Sequence, residues 1–424
     1  MNGSSRIPGF YKLDPEARFN TLVEVSGIPA EQLRHLRGTG DGMAAIAERM
    51  IENAVGAIAI PLGIGANFLI NGRDYLVPMA TEEPSVVAAA SHAALIARER
   101  GGFRTTSTPP RMIAQVQLLD VADPQGARLR LLEAREEILA AANAQDPMLV
   151  KLGGGAVDID VRLVDAGPAR YVVLHLLVDV RDAMGANAVN TMAEALAPRL
   201  ADIARGRSLL RILSNKADQR LARARAVFDA DKLGGAEVVD GIVDAYRLAA
   251  ADPYRAATHN KGIMNGISAV VLATGNDTRA IEAGAHCHAC RHGSYGSLSH
   301  FEKDADGNLV GSLELPLALG LVGGATRTHP TAQAAVRLLG VESAQELSEV
   351  VAAVGLAQNV AALRALATEG IQRGHMSLHA RNVAVAAGAG PEEMDALVER
   401  LVADGHVRLD RAQTLLAELR AASH

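Results

Sequence analysis

Tryptophan is absent from the chain, and aromatic residues make up only 3% of its 424 positions. Cores filled mainly by aromatic rings are therefore not expected. With 40 glycines and abundant alanine, helices here are expected to pack by close backbone approach. Cysteine occurs twice, at Cys287 and Cys290. Two thiols that close in sequence cannot build a disulfide framework, which fits a reducing cytoplasm. Clusters of Lys and Arg are missing and the net charge is −6, so nucleic acid is not an expected partner. The N-terminal stretch MNGSSRIPGFYKLDPEAR has no apolar core, and no signal peptide is expected. The longest uncharged apolar run, Ala54–Ile70, is interrupted by Pro61, three glycines and Asn67. It reads as a loop and strand entering a core, and no membrane partner is expected.

What is present is apolar material in quantity, 49% hydrophobic against 21% charged. That length and composition suit two or three domains. Helical spacing predicts short helices over Asp14–Val25 and Pro29–Arg37, then a helix capped by Asp41 and ended by Gly56. Residues 57–80 read as extended segments joined by an Asn71-Gly72 hairpin turn. Thr81-Glu82-Glu83-Pro84 opens a helix running to Arg100. Either the two acids only complement its dipole, or one of them faces a cleft as a proton donor.

From Met112 the pattern changes. Strands at Met112–Val121, Ala156–Leu163, Tyr171–Val180 and Arg207–Ser214 alternate with helices at Pro124–Asn143 and Gly185–Ile203. This β-α-β-β-α-β order predicts a split βαβ sandwich inserted into a larger domain. Helices over Ala332–Leu339 and from Ser343 to Ala367 follow, and Thr368–His379 precedes a helical tail.

The segment Ala251–His286 places Arg255, His259, Lys261 and Asp277 in a run otherwise built of small and apolar residues. Ile267–Thr274 reads as a buried strand, with Lys261 and Asp277 on loops at either side. An ammonium held there by a carboxylate can polarise a carbonyl. A structural ion pair beside an ordinary helix N-cap accounts for the same residues, and both readings stand. Asp182–Asn187 and Gly320–Thr326 offer small residues for close approach of a phosphate, without the GxGxxG fingerprint. His286–His292 lacks the second ligand pair that zinc requires, and no metal is expected.

Seven motifs stand in one order along nearly the whole chain: Glu52–Gly56 with Ile60–Gly63, Thr81–Ser85, Asp182–Asn187, Thr258–Lys261, Thr274–Asp277, Gly320–Thr326 and Gly374–Met376. Together they resemble 3-hydroxy-3-methylglutaryl-CoA reductase, in its bacterial class II form. The resemblance implies an α+β fold with three parts. A helix-rich large domain (1–109 and 219–374) would bind substrate and dimerise. An inserted ferredoxin-like, non-Rossmann domain (110–218) would bind NAD, and a C-terminal helical flap (375–424) would close over the site. It implies interconversion of 3-hydroxy-3-methylglutaryl-CoA with mevalonate and CoA, using two nicotinamide equivalents. It also implies a cytoplasmic homodimer with shared active sites, to which helix 41–55 contributes. Carried over by position, Lys261 polarises the thioester and then the aldehyde, Glu83 donates the proton, and Asp277 tunes that pair. His375 protonates the departing CoA thiolate. Ser85, Arg255 and Asn265 hold the substrate. Asp182, Met184, Gly185, Asn187, Gly323 and Gly324 line the cofactor, and Asp146 faces the adenosine ribose, favouring NAD over NADP. Two rivals are another NAD-linked acyl-CoA or aldehyde oxidoreductase working through a cysteine thiolate, and a non-catalytic metal-binding scaffold.

Overall fold

The structure is a computed structural model that describes residues 13–26, 29–33, 43–368 and 380–422. The cap expected at Asp41 lies outside these residues, as does His375. The fold is α+β, built around two sheets.

The first sheet begins with the hairpin β1 (Leu62–Ile70) and β2 (Arg73–Ala80). Asn71 and Gly72 turn it with φ of 50° and 84°, both in the left-handed region that a tight two-residue hairpin demands. Next to β1 lies β3 (Phe103–Ser107), paired in turn with β8 (Leu221–Phe228). The sheet is completed by β10 (Leu309–Pro316) and β9 (Ser299–Lys303), in the order β2-β1-β3-β8-β10-β9. Strands β3, β8, β9 and β10 were not anticipated from sequence. On β8 the buried face alternates fully but is mostly alanine (Ala222, Ala224 and Ala226 between Arg223 and Arg225), so the pattern carries little hydrophobic signal.

Because β3 and β8 are neighbours, the chain between them leaves and re-enters the first sheet at one place. That excursion forms the second sheet: β4 (Arg111–Leu119), β5 (Gly155–Ala166), β6 (Ala169–Asp179) and β7 (Arg207–Ser214), in the order β5-β6-β4-β7. Every neighbouring pair is antiparallel, the arrangement of a split βαβ sandwich. Arg207–Ser214 is its fourth strand. Met112, Ala114, Val116 and Leu118 face the covering helices with no exposure, as period-two alternation requires. The single helix expected over Pro124–Asn143 is two, Pro124–Glu133 and Arg135–Asn143, broken at Ala134.

One expectation is overturned. Ile267–Thr274 is no strand; it is the last third of a continuous helix, Pro253–Ala273. Its start carried a signal: Asp252 caps it by accepting from the Arg255 N–H, with Pro253 in the first turn. A run of Ile, Val and Ala buried on every side does not distinguish helix from strand by pattern. Here the helix continues because its other face packs on the helix Ala344–Ala367. A Cβ on Gly266 would lie 2.9 Å from the Gln358 Cβ, and one on Gly355 would lie 2.8 Å from Ile267. The two backbones approach as closely as an aromatic-poor core needs. Ala344–Ala367 is also the one described helix long and apolar enough to cross a bilayer, yet 67% of its most apolar window is buried within the fold.

Helices Pro391–Asp404 and Leu409–Ala422 bury Leu397, Leu401, Ala412 and Leu415 with Ala380 and Ala384 in a small core of their own.

Candidate active site

Lys261 stands in the third turn of Pro253–Ala273, not on a loop, and Asn265 follows it one turn later on the same face. Its Nζ lies 2.6 Å from Oε2 of Glu83, which is 178 positions away. Glu83 sits in the turn before the helix Val86–Arg98, where Thr81 Oγ1 accepts from its N–H. Ser85 follows at φ 72°, a left-handed conformation costly for a residue with a Cβ and of the kind concentrated at working sites. The expectation of a buried ammonium is corrected: the Lys261 side chain is 61% exposed within one chain, and Glu83 35%. An ion pair this open adds little stability.

Arg255 lies half-buried on the same helix. Burial holds its pKa below the usual arginine range, and its guanidinium meets no carboxylate among the described residues. His259, one turn on, is 2% exposed. Its Nε2 is 2.7 Å from Ser299 Oγ, and that hydroxyl donates to Asn359 Oδ1 at 2.7 Å. The histidine thus donates through Nε2, and burial with the nearby Arg255 charge pushes its pKa down to about 3. It is neutral at physiological pH and part of the core's polar network.

Asp277 caps the helix Thr278–Ala289, Oδ1 accepting from the N–H groups of Arg279 at 2.9 Å and Ala280 at 3.1 Å. One carboxylate oxygen is thereby fixed and the other left to project. Asp277 does not meet Lys261 of its own chain. The helix Pro253–Ala273 rises about 18 Å between Lys261 and its end.

Asp277 instead lines a cavity of about 1180 Å³. Met184, Gly185 and Asn187 line it from the loop after β6, Gly323 and Gly324 from the glycine-rich turn, and Asp146 from the other side. These segments are one unit. Asn276 Oδ1 accepts from Gly320 N–H at 2.8 Å, and Ala183 bridges Val322 as a parallel β-pair. A Cβ on Gly275 would sit 2.9 Å from the Thr326 nitrogen, and one on Gly320 2.4 Å from that of Met184. Glycine is therefore required at both contacts. Asp146 is fixed as the N-cap of Pro147–Lys151, Oδ1 accepting from Leu149 N–H. Asp182 is placed otherwise. Its Oδ1 accepts from Ala344 N–H and its carbonyl from Leu321 N–H, so its side chain holds the loop rather than lining the cavity.

Sequence reasoning missed Arg220. It is 4% exposed and donates to the carbonyls of Ala183 at 3.1 Å, Met184 at 3.0 Å and Leu319. Burial lowers its pKa to about 10, so it stays charged at neutral pH. It staples the loop after β6 to the glycine-rich turn, and a single arginine between two loops leaves no pattern to find.

The cavity fits a dinucleotide. Gly323 and Gly324 have φ of 83° and 56°, and a Cβ on either would enter open space. The turn can thus adopt its conformation while leaving its backbone bare for phosphate. The segment His286–His292 is engaged elsewhere. His286 Nδ1 lies 2.8 Å from the Tyr295 hydroxyl and its Nε2 3.1 Å from Glu282, whose other oxygen accepts from Ser268. Among the described residues no group of three or more His, Cys, Asp or Glu side chains could hold a metal. Cys287 and Cys290 are free and lie at the C-terminal end of their helix.

Comparison with known proteins agrees with this geometry. Residues 14–380 match the family model of hydroxymethylglutaryl-coenzyme A reductase. A 3-hydroxy-3-methylglutaryl-coenzyme A reductase of Archaeoglobus fulgidus is 56% identical over 99% of this chain and 95% of its own. A probable enzyme of that name from Borreliella burgdorferi is 37% identical over 79% of this chain and 77% of its own. A solved class II enzyme from Streptococcus pneumoniae, bound to NADPH in open conformations, is 42% identical. It superposes on 96% of this chain and 99% of its own with a TM-score of 0.76. With its motifs in order on this scaffold, the chain belongs to the hydroxymethylglutaryl-coenzyme A reductase family.

Proposed function

We propose that Lys261, paired with Glu83, is the group that takes up charge on the substrate oxygen, and that the partner subunit's Asp277 completes each site. The reaction interconverts 3-hydroxy-3-methylglutaryl-CoA with mevalonate and CoA, through a mevaldyl-CoA hemithioacetal and mevaldehyde. A bound nicotinamide supplies or accepts hydride in each of the two redox steps. Every hydride delivered to a carbonyl carbon leaves a negative oxygen, which the Lys261 ammonium neutralises. Glu83, 2.6 Å from that ammonium, exchanges the proton the oxygen needs. Arg255, with a half-buried guanidinium that meets no carboxylate among the described residues, suits the substrate's free carboxylate. Ser85 and Asn265 flank Glu83 and Lys261 and take its hydroxyl. His375, outside the described residues, protonates the CoA thiolate as it leaves.

NAD is the preferred cofactor in this reading. What supports it is Asp146, whose carboxylate is fixed by its cap at the cavity wall and would repel a 2′-phosphate. A homodimer is supported by the helix rise of about 18 Å between Lys261 and the helix end that precedes Asp277, and by exposed Met50, Ile58 and Ile60 lining the cavity. The free Cys287 and Cys290 fit a cytoplasmic setting.

The observation that carries the reading is the Lys261–Glu83 contact across the sequence, on the helix that also bears Arg255 and Asn265. Following absorbance at 340 nm with mevalonate, CoA and NAD tests it. Wild-type protein should reduce the cofactor, and Lys261→Ala should not. Equal rates in the two proteins would refute the assignment.

A further inference from the structure

The cavity that Asp277 lines is poor in positive charge. Two carboxylates, Asp146 and Asp277, face it, and Arg279 is the one lysine or arginine among its described lining residues. A dinucleotide brings a dianionic diphosphate into that space, and the bare amides of the glycine-rich turn carry only partial charge. Among the described lining residues, Arg279 is the one permanently charged cation that can supply a full counter-charge.

Arg279 is built to move. Its side chain is 86% exposed, and its ion pair with Asp277 Oδ1, at 3.3 Å, is an exposed contact of little worth. Asp277 does not depend on it, because the same oxygen keeps the N–H groups of Arg279 and Ala280 when the guanidinium departs. The planar guanidinium matches two phosphate oxygens at once, where a lysine would offer a point charge.

Resting on the reading of this cavity as the cofactor site, we propose that Arg279 leaves Asp277 and clamps the cofactor's diphosphate. It is then a cofactor-binding residue outside the family motifs, two positions beyond Asp277. Removing it weakens every ligand that carries the diphosphate and spares those that lack it.

The test is equilibrium binding, without turnover. ADP-ribose, which holds the diphosphate, and adenosine, which does not, are titrated as competitors of NADH fluorescence on wild type, Arg279→Gln and Arg279→Lys. The expected result is about tenfold weaker ADP-ribose binding in Arg279→Gln. A smaller loss is expected in Arg279→Lys, an unchanged adenosine constant in both, and a shallower salt dependence in Arg279→Gln. Unchanged ADP-ribose binding overturns the proposal. Equal loss for both ligands overturns it too, because the effect then comes from the fold, and so does dissociation of the oligomer by sedimentation. The cofactor reading fails separately: it falls if wild-type protein binds neither NADH nor ADP-ribose. If wild type binds both and Gly323→Val abolishes that binding while Arg279→Gln spares it, only Arg279 is wrongly assigned.

Discussion

Lys261 stands in the third turn of the helix Pro253–Ala273 and Asp277 lies beyond its C-terminal end, with a rise of about 18 Å between Lys261 and that end. A rigid helix cannot fold back to join them. If both act on one substrate, they come from two chains. Mixing Lys261→Ala with Asp277→Asn, each inactive alone, should then restore about a quarter of wild-type activity, since half of randomly assorted dimers are mixed and carry one intact site. Subunit exchange followed by the 340 nm assay reads this out. No recovery after verified exchange would place both residues in separate roles.

Asp146 presents one carboxylate oxygen to the Leu149 N–H and leaves the other at the cavity wall. Asp146→Ala removes the charge that rejects a 2′-phosphate. The ratio of kcat/KM for NADH over NADPH should fall by about tenfold, equivalent to losing one like-charge repulsion of about 1.4 kcal/mol. A ratio that does not move would remove Asp146 from cofactor selection.

His259 supplies a pH signature. Its pKa is about 3 in the fold, against about 6.5 for a free histidine. Between those values the unfolded chain binds a proton and the folded chain does not. Stability contributed by the neutral ring is thus complete above pH about 6.5 and declines as pH falls, by up to about 1.4 kcal/mol per unit. His259→Gln keeps a donor near Ser299 and cannot titrate. Its denaturation midpoint should fall less steeply than the wild type's between pH 6.5 and 4. Parallel curves would show that another group sets the slope.

The helices after residue 380 bury their apolar residues mainly against one another. A chain ending near residue 376 should therefore keep its melting temperature and its dimer within experimental spread. It should lose turnover by at least about 100-fold, the contribution of a positioned proton donor and a closed site. Loss of the dimer on truncation would assign this region to assembly instead of closure.

Much of this protein was legible without coordinates, where the information is local. The Asn71-Gly72 turn and the alternation of Met112 to Leu118 specify their own structure, because turn torsions and face alternation depend on near neighbours. Motifs dense in Gly, Asp and Lys point to a family because few other reasons bring those residues together in that order. The rest required tertiary structure. Whether Ile267–Ala273 was helix or strand depended on a helix nearly a hundred residues later that packs against Gly266. Arg220 acquired its role only when two distant loops came within reach of its guanidinium. The separation of Lys261 from Asp277 followed from that helix being continuous, a property of packing that short-range pattern does not encode.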